Sequence, residues 1–223
     1  MIVKSAIMLF CLLVWAVGDL AQGDALRRDL TPESVSDLEA IEKEVKRVLP
    51  AALKSLVSVQ SEKFQGSGVL ISSDGTVYTA AHVVLPVNGS RQCMIILPSG
   101  KEIEGCLVIE DEETDAAIVK IPAMKGKFPV IANGMPSVGE WVFALGHAGG
   151  YDSERGAVVR LGRVVSVKDG VVQTDCKLIK GDSGGGLFNL KGELVGIHSK
   201  VGAGLDDNVH LPVSVFRTIT KRR

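Results

Sequence analysis

The chain has 223 residues, with 25 Lys or Arg against 26 Asp or Glu and a formal net charge of −1. That balance excludes a protein that coats nucleic acid through charge, and it excludes a polyacidic tail; 46% hydrophobic and 23% charged residues exclude intrinsic disorder. A chain of this length can bury a core without a metal or a disulfide, and 25 glycines with only 4% aromatics point to many turns joining short strands.

Residues 1–23 read as a secretory signal peptide. Lys4 supplies a positive start, and Ser5–Gly18 is an apolar run too short to span a bilayer. Ala16-Val17-Gly18 and Ala21-Gln22-Gly23 each fit a small-x-small cleavage site. The expectation is an exported protein, periplasmic or secreted, with no stable membrane insertion after processing. Residues 24–52 form an N-terminal helical segment. Thr31 caps a helix that Pro32 opens, Val35, Leu38, Ile41, Val45 and Val48 recur along one face, and Pro50 is expected to stop it. That apolar face suits packing against the body or contact within a homo-oligomer.

From Leu56 the period shortens. Apolar runs at 56–59, 68–71, 77–80, 94–97, 107–109, 116–121, 141–145, 157–165, 171–174, 185–188, 194–198 and 208–213 are punctuated by Gly, Asp, Asn and Ser. About a dozen strands without interleaved helices predict an all-β barrel or sandwich and disfavour a parallel α/β fold. The stretch 122–138 is the loosest and is a candidate linker between two halves. Cys93 and Cys106 flank the turn Pro98-Ser99-Gly100. A two-residue Ser99-Gly100 loop sets 93 opposite 106, which leaves a cross-strand disulfide and two separate thiols both open. Cys176 reads as a small buried residue. No Cys or His spacing suits a metal, and no cofactor is expected.

Gly181-Asp182-Ser183-Gly184-Gly185 is the strongest local signal. Glycines around a serine free the backbone for close approach by a substrate and let N–H groups converge on one point. A Gly-x-Ser-x-Gly elbow of the α/β-hydrolase kind needs a helix after the serine and a well-separated acid and histidine downstream. Here strand, Lys191-Gly192 turn and strand follow, and only Asp206, Asp207 and His210 come after, so that reading is rejected. A nucleophilic serine needs a base. Of His82, His147, His198 and His210, His82 ends the apolar run Tyr78–Ala81 beside two alanines that leave its ring open. The imidazole needs an orienting carboxylate. In the acidic run 110–115, Asp115 leads straight into Ala116–Val119 and is the acid expected to face inward; Asp111 is the runner-up.

The order His82, Asp115, Ser183 is that of chymotrypsin-like enzymes. Tyr78–Val84 resembles the histidine motif of trypsin-fold proteases. Gly66–Ile71 with Ser72-Ser73-Asp74-Gly75, and Thr114–Ile121, are similar to the strands bearing the histidine and aspartate in HtrA/Deg-type bacterial proteases. Leu145–Gly150, Gly162–Ser166, Gln173-Thr174-Asp175 and Gly181–Leu187 resemble second-barrel segments and the serine motif, so the likeness covers about residues 45–217. Gly186 departs from a common proline, and after Val215-Phe216 no peptide-binding PDZ module is expected. Asp182 pairs with a cleaved N-terminus in digestive enzymes; no Ile-Val-Gly-Gly start occurs here, so activation by cleavage is not expected.

The resemblance implies a trypsin-like protease domain over 53–220, with antiparallel six-stranded barrels at about 53–128 and 129–217. It implies a serine endopeptidase in which Ser183 attacks, His82 is the base, Asp115 orients it, and the N–H groups of Gly181 and Ser183 form the oxyanion hole. Its partners would be polypeptide substrates, in protein processing or quality control. The alternative is a weak or inactive protease scaffold that binds peptides or unfolded proteins. Gly196-Ile197-His198 also resembles the pocket wall of bacterial glutamyl endopeptidases. That makes His198, Ser199, Lys177 and His210 candidate substrate-binding residues for an acidic side chain; a pocket for small aliphatic residues is the competing expectation.

Overall fold

The computed structural model describes residues 31–200 and 208–222. The expected signal peptide lies outside the described residues. Helix α1, Val35–Ser55, begins three residues later than the sequence suggests, because Ser34 rather than Thr31 caps it. Ser34 Oγ accepts from the Asp37 N–H at 3.3 Å, and Asp37 Oδ2 accepts from the Ser34 N–H at 3.0 Å, a reciprocal capping box. Nor does Pro50 stop the helix; it lies inside it. An internal proline costs about 3 kcal/mol, and burial of Val48, Ala52 and Ser55 on either side of it carries the helix through.

The strands close into two six-stranded antiparallel barrels, as the resemblance implies. The first holds β1 (Leu56–Gln60), β2 (Gln65–Leu70), β3 (Thr76–Ala80), β4 (Gln92–Ile96), β5 (Glu102–Asp111) and β6 (Ala116–Lys120), ordered β1-β2-β3-β6-β5-β4. The second holds β7 (Trp141–Gly146), β8 (Val158–Lys168), β9 (Val171–Thr174), β10 (Gly186–Asn189), β11 (Leu194–Lys200) and β12 (Val209–Pro212), ordered β10-β11-β12-β9-β8-β7. One turn of helix, α2 (Ala81–Val84), follows β3 and carries His82, which the sequence reading had left at a strand end.

Each barrel has its own apolar filling, and a third cluster joins them. In it Val48, Ala52 and Leu56 meet Tyr78, Phe143, Phe188 and Phe216. Phe216 belongs to α3 (Val213–Lys221), a helix that sequence reasoning missed. Its Val213, Val215, Thr218, Ile219 and Thr220 are β-branched and weak helix formers. Tertiary packing overrides that preference: Val213, Phe216 and Ile219 are buried at three-residue spacing, and Phe216 stacks on Tyr78 at 4.2 Å.

The β4–β5 hairpin corrects the cysteine pairing. Leu97 N–H donates to the Lys101 carbonyl at 2.9 Å, so the loop is Pro98-Ser99-Gly100, with Gly100 left-handed at φ 81°. The extra residue shifts the register by one. Cys93 pairs with Gly105, and Cys106 with Gln92. Side chains alternate across a strand, so the shift separates the two sulfurs; both thiols are free and Cys93 is buried.

Candidate active site

The cleft between the barrels has a volume of about 520 Å³ and is lined by His82 and Val83, the β1–β2 segment Lys63-Phe64-Gln65, Gly149-Gly150, and Lys180, Gly181 and Ser183. A larger groove of about 730 Å³ lies against β5 and the C-terminal residues. Its Arg91 is already paired with Glu110 and its Arg222 with Asp111, and it holds no nucleophile.

His82 and Asp115 come together across the β3–β6 edge. His82 Nδ1 lies 2.9 Å from Asp115 Oδ1 and 3.0 Å from Oδ2, and the His82 N–H donates to Oδ1 at 3.0 Å. Asp115 adopts φ 59°, a left-handed conformation that aspartate tolerates better than most residues. Its carbonyl also accepts from the Ala81 N–H at 2.9 Å, so the Asp115 backbone and side chain together hold the helical turn that bears His82. Ser199 Oγ donates to Asp115 Oδ2. Burial pushes the Asp115 carboxyl upward, but the hydrogen bonds from His82 and Ser199 outweigh it and hold the pKa below the usual carboxylate value. With Nδ1 donating to a carboxylate, the other ring nitrogen of His82 is left as the acceptor. The runner-up Asp111 lies elsewhere, paired with Arg222.

The serine turn is gripped from three sides. Ser67 on β2 donates its N–H to the Ser183 carbonyl at 2.8 Å and its hydroxyl to the Gly181 carbonyl at 2.9 Å, and it accepts from the His147 N–H at 2.9 Å. Gly184 N–H donates to the His198 carbonyl at 2.7 Å. Gly149 N–H donates to the Lys180 carbonyl at 2.7 Å. The C=O and N–H of a trans peptide point in opposite directions, so the Gly181 N–H points away from Gly149. Gly181 has φ 97° and Gly184 has φ 85°; a Cβ on Gly181 would strike the His147 carbonyl, and one on Gly184 the Ser67 carbonyl, so no other residue fits either position. Among the described residues neither the Gly181 nor the Ser183 N–H has an acceptor within the chain. Ser183 Oγ donates to the Ser199 carbonyl at 3.4 Å, a long bond that leaves the hydroxyl free to turn.

The candidate specificity residues lie deeper. His198 and His210 are fully buried, with their Nδ1 atoms 2.8 Å apart, and His210 Nε2 is 2.8 Å from Thr174 Oγ1. Burial holds both imidazoles neutral, His210 down to about 3 and His198 well below its usual range. His198 Nε2 is buried without a partner. Ser199, expected in the pocket, turns its hydroxyl to Asp115 instead. Lys177 is exposed and lies off the cleft, whereas Lys180 lines it. Ser67, which holds the serine turn, is a position the sequence does not single out; it sits in the Gly66-Ser67-Gly68 segment, but a buried serine between glycines carries no chemical signal of its own.

A family model described as a trypsin-like peptidase domain matches residues 66–197. The Hahella chejuensis protein named "Probable periplasmic serine endoprotease DegP-like" is 38% identical over 149 residues, covering 64% of this chain and 31% of that protein. A Pseudomonas putida protein of the same name is 40% identical over 144 residues, covering 61% and 29%. The chain thus spans about a third of the length of these relatives. The crystal structure of a serine endoprotease from Yersinia pestis superimposes with a TM-score of 0.69 at 26% identity, covering 86% of this chain and 67% of that one.

Proposed function

Since the chain belongs to the trypsin-like peptidase family, we propose that it is a serine endopeptidase working through His82, Asp115 and Ser183. Ser183 Oγ attacks a peptide carbonyl as His82 takes its proton, and His82 then protonates the leaving amine. Asp115 fixes the His82 tautomer and stabilises the imidazolium. The N–H groups of Gly181 and Ser183 receive the oxyanion, each worth about 10²–10³ in rate. Water then hydrolyses the acyl-enzyme by the same proton path. The observation that carries this reading is His82 on one wall of the cleft, backed by the Asp115 carboxylate that Ser199 also holds, facing the serine turn with the unpaired N–H groups of Gly181 and Ser183 on the other. The test is labelling by a serine-directed phosphonate together with cleavage of casein. Wild-type protein should do both and Ser183→Ala neither; a wild-type protein that does neither, like its Ser183→Ala variant, is a binding scaffold instead.

The relatives named periplasmic and the signal-like first 23 residues support action after export. Val35 and Leu38 on α1, 71% and 53% exposed, support self-association through that helix. For specificity, we propose an acidic residue before the scissile bond. Lys180 on the cleft supplies the positive charge; His198, fully buried and neutral, does not line the cleft and adds none. A peptide library decides: predominant cleavage after Val, Ala or Ile, unchanged in kind by Lys180→Ala, overturns this preference.

A further inference from the structure

Asp182 is a fully buried carboxylate that the proposed mechanism does not use. It stands in the chain between the two proposed oxyanion donors, Gly181 and Ser183. Its Oδ2 accepts from the Ile179 N–H at 2.8 Å, three residues back, and its own N–H donates to the Ile179 carbonyl at 3.1 Å. Its carbonyl accepts from the Gly185 N–H at 2.8 Å. The residue therefore ties both ends of the turn that presents the serine.

The countercharge comes from a neighbouring strand. Arg160 on β8 reaches over β7, where its partner is Ala144, and sets Nη2 3.1 Å from Asp182 Oδ2. Gly146 at the end of β7 makes this approach feasible, since a Cβ there would overlap Asp182 Oδ1. Burial pushes the Asp182 carboxyl above its usual range, and the Ile179 N–H, Arg160 and the second positive charge of Arg155, in the segment before β8, pull against that push; His198 on β11 and His147 after β7 are both kept neutral by burial. The ion pair is single-pronged. Asp182 Oδ1 and Arg160 Nη1 are both buried without a partner, because the oxygen facing Arg160 is shared with the Ile179 N–H. A bidentate pair would use both prongs; here one carboxylate oxygen holds both the guanidinium and the turn.

We propose that Arg160 is a positioning residue: its guanidinium holds Asp182 charged and inward, and so keeps the Gly181 and Ser183 N–H groups aimed into the cleft. Without it the buried carboxylate keeps only the Ile179 N–H and the charge of Arg155, which makes no ion pair with it, and must protonate or swing out. Swinging out turns the peptides on either side, and those peptides carry the oxyanion donors. Ser67 and Gly149 grip the turn through neutral hydrogen bonds; Arg160 is the contact that depends on charge.

The inference rests on the serine endopeptidase reading, and Arg160→Met tests it. The expected result is a fall in kcat of about 10²-fold, the scale of one lost oxyanion donor, with KM little changed and the acid limb of the pH profile moved to higher pH. Arg160→Lys should restore most of kcat. Adding Asp182→Asn to Arg160→Met removes the stranded charge while keeping an acceptor for the Ile179 N–H, and should recover kcat relative to the single variant. Wild-type kcat and acid limb in Arg160→Met, or a double variant no better than the single one, overturn the proposal. Where Arg160→Met does not fold, the double variant decides: folded and active supports the proposal, while unfolded, or folded with no more activity than Ser183→Ala, overturns it. Wild-type protein that fails to react with the phosphonate sinks the endopeptidase reading itself. Labelled wild type with an indifferent Arg160→Met sinks this inference alone.

Discussion

The two barrels have the same strand count and differ in the polar groups they bury. The first is filled by Val57, Val59, Val77, Ile95, Leu107 and Val119, buries only the neutral hydroxyls of Ser58, Ser67 and Thr79, and keeps its histidine at the rim, where the His82 side chain is 44% exposed. The second buries Asp182, His198, His210 and Thr174 completely or nearly so and leans Arg160 over them. The contrast follows from what each must present. A base exchanges protons and gains from partial hydration. An oxyanion site consists of backbone N–H groups, whose direction is fixed only by whatever grips the turn behind them. Gripping from behind means burying polar groups, where their interactions are strong and any loss of a partner is costly.

Predictions that sharpen the contrast begin at the cleft. Removing the proposed nucleophile with Ser183→Ala should lower kcat by about 10⁶-fold. Asp115→Asn should lower it by about 10⁴-fold, because an amide no longer fixes the His82 tautomer. Neither change strands a buried charge, so thermal unfolding should shift little in both. Single-turnover kinetics and a melting curve on the same samples check this. A large drop in melting temperature for Ser183→Ala would mean that the serine hydroxyl, too, holds the fold together.

The buried side of the contrast is open to acid. Burial, reinforced by Arg155, holds His147 at about 4 against an ordinary 6.5, and burial holds His210 at about 3. The unfolded chain therefore binds protons between pH 6.5 and 4 that the folded chain refuses. Stability falls as pH falls through that window, by at most about 3 kcal/mol for His147. Asp115, whose pKa is depressed, loses its contribution only at lower pH, below its ordinary 3.8. Urea midpoints at neutral pH and at pH 5 or below should therefore differ, and His147→Gln should flatten the difference. An unchanged slope in that variant would remove His147 from the account.

A smaller effect links the barrels. Ser199 on β11 of the second barrel donates to Asp115 of the first. Ser199→Ala should cost roughly tenfold in kcat, the low end for a hydrogen bond to a charged group, with KM unchanged. An unaltered kcat would leave the positioning of Asp115 to the His82 turn alone.

What the sequence made legible follows the physics of each feature. The strands were readable because short apolar runs and turn residues mark them locally. The pairing of His82 with Asp115 and the tight turn at Ser183 were readable because small neighbours and glycines mark both places in the sequence. Arg160 was not, because a strand arginine looks solvated until β7 and the serine turn close over it. Helix α3 was hidden by β-branched residues whose helical state depends on Tyr78 and its neighbours. Pro50 misled for the same reason: a local breaker lost to tertiary packing. The β4–β5 hairpin shows the limit most plainly, since one left-handed glycine at 100 changed every pairing across it.

That hairpin supplies the prediction with the smallest effect. With Cys93 opposite Gly105, the thiol faces the interior of the first barrel, and burial pushes it up to about 12. Cys176 is likewise raised, to about 11. A thiol is reactive only as thiolate and only where reagent can reach it. The folded protein should thus show one cysteine open to a thiol reagent among the three in the described residues, the half-buried Cys106, and unfolding in urea should release the other two. Oxidant should not join Cys93 to Cys106, because their side chains leave opposite faces of the hairpin. Reductant should accordingly leave the melting temperature where it was. A reductant-sensitive melt, or a 93–106 cross-linked peptide by mass spectrometry, would mean that the hairpin pairs with a two-residue loop and that the register of the first barrel's edge is wrong by one.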